Sequence, residues 1–162
     1  MTPAGSRTCL GWDWCPFHRD VEDEDVSDRD GLVTIRSAHS VPETIDRLVA
    51  AVTSRGLNVF ARIDHAAGAA SVSQELRPTL LVIFGNPRGG TPLMQDRQTA
   101  GIDLPVKALA WEDADGAVWL TYNDPHWLAR RHGLGASSAA AVAAIESGLA
   151  TVTAEVAGAG PA

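Results

Sequence analysis

"PVKALAWEDADGAVWLTY", residues 105–122, decides the fold. Two apolar runs flank Asp115-Gly116, a dipeptide that tolerates the positive backbone angles of a tight hairpin turn. Strands joined by so short a turn run antiparallel. Upstream, "TLLVIFG" (79–85) is a near-continuous apolar run, the mark of a central strand. "LNVFARID" (57–64) alternates, with Leu57, Val59, Ala61 and Ile63 on one side and Asn58, Phe60, Arg62 and Asp64 on the other. "GLVTIRSAHS" (31–40) supplies a first strand.

Helical segments fill the gaps between these strands. In "SVPETIDRLVAAVTSRG" (40–56), Ser40 or Val41 caps, Pro42 suits the first turn, and Glu43 and Asp46 favour the positive end of the dipole. Ile45, Leu48, Val49 and Val52 form one apolar stripe, and Gly56 ends the helix. "HAAGAASVSQEL" (65–76) reads as a short helix capped by Asp64. "TPLMQDRQTAG" (91–101) predicts a helix with Thr91 as cap, Pro92 first and Gly101 as stop. "NDPHWLARRHGL" (123–134) repeats that grammar with Asp124, Pro125 and Gly133. In the final alanine-rich helix, Val142, Ile145, Leu149, Val152 and Val156 make a narrow seam for the sheet or a partner helix. The order β-α-β-(short α)-β-α-β-β-α-α has too few crossovers for a doubly wound sheet. It predicts a two-layer α+β fold, a mainly antiparallel sheet with helices packed on one face.

The chain has 162 residues, 45% of them apolar, enough for one domain with an extension. Of the net charge of −7, the stretch "RDVEDEDVSDRD" (19–30) contributes −5, with seven acids against two arginines. Residues 1–30 therefore read as an extension and acidic linker, 31–157 as a single domain and 158–162 as a tail. Lysine and arginine do not cluster, so no nucleic-acid or anionic-membrane surface is expected. Met1 is not followed by a basic segment and an apolar run, and no apolar stretch approaches the roughly 20 residues of a membrane span. The expected location is cytoplasmic.

Gly85, Gly90 and Thr91 in "IFGNPRGGTPLM" (83–94) carry the glycine spacing of a phosphate-cradling loop. The chemistry is missing: Thr91 stands where that loop needs lysine, and Pro92 where it needs the magnesium-binding hydroxyl. Nucleotide hydrolysis is not expected. What survives is a generic anion site from Gly89 and Gly90 backbone N–H groups with Arg88, against the plainer reading of a strand-to-helix turn. Asp64-His65 invites a carboxylate that orients an imidazole, although neighbours on a strand face opposite ways, and a cap with a packed histidine is simpler. Tyr122, Asn123, Asp124, His126 and His132 gather polar groups, but six positions put the two histidines on different helical faces. Cys9, Cys15 and His18 are weak zinc ligands, because structural sites use closer cysteines and a fourth ligand. No metal or cofactor is expected.

The motifs "TIDRLVAAVTSRGLNVFARIDHAAGA", "LRPTLLVIFGNPRGGTPLMQ", "IDLPVKALAWEDADGAVWLTYNDP" and "LARRHGL" come in that order. From about Val41 to Leu134 the chain resembles the uncharacterised "domain of unknown function 302" family. The resemblance implies a helix-backed antiparallel sheet that tends to dimerise, and no settled activity. It also implies recurring polar positions at Asp64, His65, Asn86, Asp103, Lys107, Tyr122, Asn123 and Asp124.

Together these features predict a homodimeric small-ligand or regulatory binding module. Its site would draw on Asn86, Arg88, Lys107, Tyr122 and Asp124, with His65 beside Asn86 and a small anion as ligand. One alternative is an enzyme with His65 as general base, Asp64 orienting it, and Arg88 or Lys107 holding an anionic substrate. Another is an interaction protein that docks through its tryptophan-rich N-terminal arm.

Overall fold

A computed structural model of the chain describes residues 30–158. The extension with Cys9, Cys15 and His18, and most of the acidic linker, lie outside the described residues. The strands are β1 (Leu32–Ser37), β2 (Asn58–Asp64), β3 (Thr79–Gly85), β4 (Val106–Glu112) and β5 (Val118–Asn123). The helices are α1 (Val41–Ser54), α2 (His65–Ser71), α3 (Pro87–Asp96), α4 (Pro125–His132) and α5 (Ala139–Ala157), with a 3-10 turn at Gln98–Ile102.

The strands form one sheet in the order β1-β5-β4-β3-β2, every pair antiparallel. The β4–β5 hairpin turns on Asp113, whose Oδ1 accepts from the N–H groups of Asp115 and Ala117, while Gly116 takes φ +77°. The fold is α+β, as the hairpin predicts.

One face of the sheet is covered by α1 and α5. Ile45, Leu48 and Val52 of α1 meet Val82, Phe84, Ala108, Ala110 and Leu120 of the sheet and Leu149, Val152 and Val156 of α5. Fully burying each large apolar side chain contributes about 1.5–3 kcal/mol, so this layer is the main stabilising element. α1 begins where its cap predicts: Ser40 Oγ accepts from Glu43 N–H. The α5 seam is spent inside the protomer, since Val142, Leu149, Val152 and Val156 are all buried. α5 is also the one helix among the described residues long and apolar enough to cross a membrane by length and composition. Its 19 residues include Glu146 and Glu155, so it is not an unbroken apolar run.

The opposite face presents Ile63, Leu81, Ile83, Leu109, Trp111 and Trp119, none of them buried. Trp111 and Trp119 pair across β4 and β5 with ring centroids 6.4 Å apart. Their indole N–H groups donate to Thr121 Oγ1 and Asp113 Oδ2.

Two local expectations fail for physical reasons. A bulge between Val59 and Ala61 interrupts β2, so Val59 pairs with buried Phe84 while Ala61 and Ile63 follow the opposite face. Strict alternation from Leu57 to Asp64 therefore does not hold. α3 begins at Pro87 with Asn86 as its cap, not at Thr91, and Pro92 lies inside the helix. Asn86-Pro87 is itself a cap followed by proline, and this earlier signal wins.

Candidate functional site

The glycine loop does not form an anion cradle. Asn86 Oδ1 accepts from Arg88 N–H at 2.8 Å. The Asn86 carbonyl accepts from Gly89 N–H at 3.0 Å and Gly90 N–H at 3.3 Å. The donors that would hold an anion are thus occupied by the cap itself. The glycines serve packing instead. A Cβ on Gly85 would stand 3.3 Å from Pro105 Cβ, and one on Gly89 would touch Ile145. Side chains larger than hydrogen would fill the space between α3, α5 and the 104–105 segment.

That space opens into a pocket of about 940 Å³. Its walls are Leu57 just before β2, Phe60 of β2, Phe84 of β3, Met94 of α3, and Leu104 with Pro105 ahead of β4. Its long wall is α5 from Ala144 through Gly148 to Val152. The bulge in β2 places Phe60 at this rim, where it is 56% exposed. At one end Arg88 and Asn86 line the mouth. At the other, Arg55 is held by Glu155 at 2.5 Å and by the Ala51 carbonyl at 2.9 Å. Wide apolar walls with few polar groups suit a small organic ligand.

Only Asn86 and Arg88 of the expected site residues reach this pocket. The juxtaposition of His65 with Asn86 is overturned by the β2–β3 register. Asp64 pairs with Leu80, and Asn58 with Gly85, so His65 and Asn86 leave opposite ends of the sheet. His65 lies level with Thr79, seven strand positions from Asn86, so at roughly 3.3 Å per residue the separation is about 23 Å. Asp64 does not orient His65 either: its Oδ1 accepts from Ala67 N–H at 2.8 Å as the α2 cap. Lys107 and Tyr122 also part company. Tyr122 pairs with Ala108, one residue beyond Lys107, so the two side chains take opposite faces. Lys107 Nζ donates to the Asp103 carbonyl, and Asp124 Oδ1 caps α4 through His126 N–H. Tyr122 is 7% exposed, and burial raises its phenol above the usual range. Asp103 and His132, by contrast, do meet, with Nε2 and Oδ2 2.7 Å apart, tying α4 to the segment before β4. Among the described residues no group of acids and histidines is arranged to hold a metal.

Most of the pocket residues that the sequence does not mark as a site are apolar, among them Leu57, Phe60, Ile145 and Gly148. Their one local signal is Gly148, an isolated glycine in an alanine-rich helix interior, where a packing or functional reason is the usual explanation.

The pattern of the family called Domain of unknown function DUF302 matches residues 33–152. The chain belongs to this family. A crystal structure described as an uncharacterized conserved DUF302 protein from Bacillus stearothermophilus superimposes with a TM-score of 0.70. That likeness covers 79% of this chain and 98% of the other at 19% identity, so it shows a shared fold. Among relatives in sequence, one from Brucella suis named "Fluoride-specific ion channel FluC 1" is 59% identical over 128 residues. The match takes in 79% of this chain and 50% of the relative. A Brucella abortus protein of the same name is equally similar, with 47% of its length covered. The chain thus spans about half the length of these relatives.

Proposed function

We propose that this DUF302 domain is a small-ligand binding module whose site is the pocket between α3, α5 and the bulged end of β2. One observation carries the reading: a pocket of about 940 Å³ with mainly apolar walls, lined in part by Gly89, Gly90 and Gly148. The domain holds no cysteine, which fits work in a reducing cytoplasm. The apolar second face of the sheet fits burial against a second copy. Mass spectrometry of natively purified protein is the test. A small molecule carried by the wild type and lost from Gly148→Leu supports the reading. A molecule retained equally by both places the site elsewhere. Gly148 suits this use because a Cβ there meets nothing within 4 Å.

A second reading is favoured by the Brucella relatives: a regulatory domain coupled to fluoride transport. This chain, which matches about half of the Brucella suis relative, has a five-stranded sheet, and its longest helix buries Val142, Leu149, Val152 and Val156 in the domain. A sheet with open edges does not span lipid. In this reading the shared half senses a ligand and the remaining half conducts. Fluoride efflux from vesicles holding the Brucella suis protein, with and without the shared half, decides it. Equal efflux under every ligand condition rejects the coupling.

A further inference from the structure

We propose that the pocket takes an elongated aliphatic monoanion of the fatty-acid class, its carboxylate on Arg88 and its chain lying along α5. The inference rests on the small-ligand reading and names the ligand's chemistry.

The pocket has two charged groups, Arg55 and Arg88; Asn86, Thr91, Ser147 and Thr151 are its other polar lining residues. Arg55 is committed to Glu155 and the Ala51 carbonyl. The Arg88 guanidinium has no partner among the described residues, while its backbone N–H is tied into the Asn86 cap. One end of the pocket therefore offers a single unmatched positive charge, and the other is already neutralised. A phosphate demands several donors, and the N–H groups of Gly89 and Gly90 are taken. A carboxylate needs only the two parallel donors that a guanidinium presents.

Shape points the same way. A Cβ on Gly89 would meet Ile145 at the Arg88 end, whereas the Arg55–Glu155 pair marks the far end. The wall from Ile145 to Val152 runs about 10 Å at 1.5 Å per residue. Leu57, Phe60, Leu104 and Leu149 face this run without a charged group between the two ends. A flexible alkyl chain fits such a long apolar trough, and its burial supplies affinity that one exposed ion pair cannot.

The test uses octanoic acid and its methyl ester, two probes with one chain of matching length and different head groups, titrated calorimetrically into the full chain. The acid is expected to bind about tenfold more tightly than the ester. Arg88→Gln should abolish that difference by weakening the acid alone, and Gly148→Leu should remove both probes. Melting curves establish that each variant is folded. Equal affinity of acid and ester, unchanged in Arg88→Gln, overturns the carboxylate assignment and leaves the pocket reading standing. Binding that Gly148→Leu does not alter overturns the pocket reading itself. No binding of either probe overturns the fatty-acid class.

Discussion

Asp96 and Asp113 are the two carboxylates whose surroundings matter most. Asp96 Oδ2 accepts from Ser138 Oγ and Gly135 N–H, each at 2.7 Å, clamping the end of α3 to the start of α5. The Ser138 hydroxyl, then the Gly135 N–H, lowers its pKa from the usual 3.8. The Trp119 indole, then the Ala117 N–H, does the same for Asp113 in the hairpin turn. A lowered folded-state pKa means that the unfolded chain takes up the proton first as pH falls. The stabilisation is complete above the ordinary carboxylate range and drains away as pH drops through the folded values, below about 4. Denaturant melts from pH 6 to pH 3 should show this acid loss, and Asp96→Asn with Asp113→Asn should flatten it. Deeper in the molecule, Phe84 is 1% exposed at the centre of the core. Phe84→Ala should cost about 3–5 kcal/mol, read from the denaturation midpoint. A loss below about 1 kcal/mol would mean that the layer between α1, α5 and the sheet is loosely packed.

Among the elements, α3 separates what the sequence declares from what it conceals. Asn86→Ala should destabilise by about 0.5–2 kcal/mol, because it frees the Arg88 N–H, while Thr91→Ala should be nearly neutral. The reverse result would restore Thr91 as the helix start. The hairpin, the α1 cap at Ser40 and the α4 boundaries at Asp124 and Gly133 were legible because each rests on local turn chemistry. The start of α3 was ambiguous because two cap-and-proline signals lie five residues apart. The bulge at Phe60 was not legible, since it arises from pairing with β3. Neither was the pocket: Leu57, Phe84, Leu104 and Ile145 converge only through tertiary packing. Asn86 and Arg88 were found through their polarity, and His65 was misplaced because antiparallel register reverses which strand ends meet.

At the scale of the whole molecule, the second face of the sheet sets the expected assembly. Leu81, Ile83, Leu109 and the stacked Trp111–Trp119 pair make a contiguous apolar surface of the kind that marks an interface. Light scattering at micromolar concentration should give a dimer, and Leu109→Lys should give a folded monomer. A wild-type monomer would refute the interface, as would a Leu109→Lys dimer. The sheet order has one further consequence, in time. β1 lies at the edge and pairs with β5 alone, Leu32 opposite Asn123, about 90 positions later. During synthesis at about 5–20 residues per second, the first strand to leave the ribosome waits roughly 5–18 s for its partner. Until then β1 presents its backbone donors and acceptors to whatever else is emerging or nearby. A stalled nascent chain ending at Glu112 should therefore stay open to protease at β1, while one carried past Gly158 and clear of the exit tunnel should be protected there.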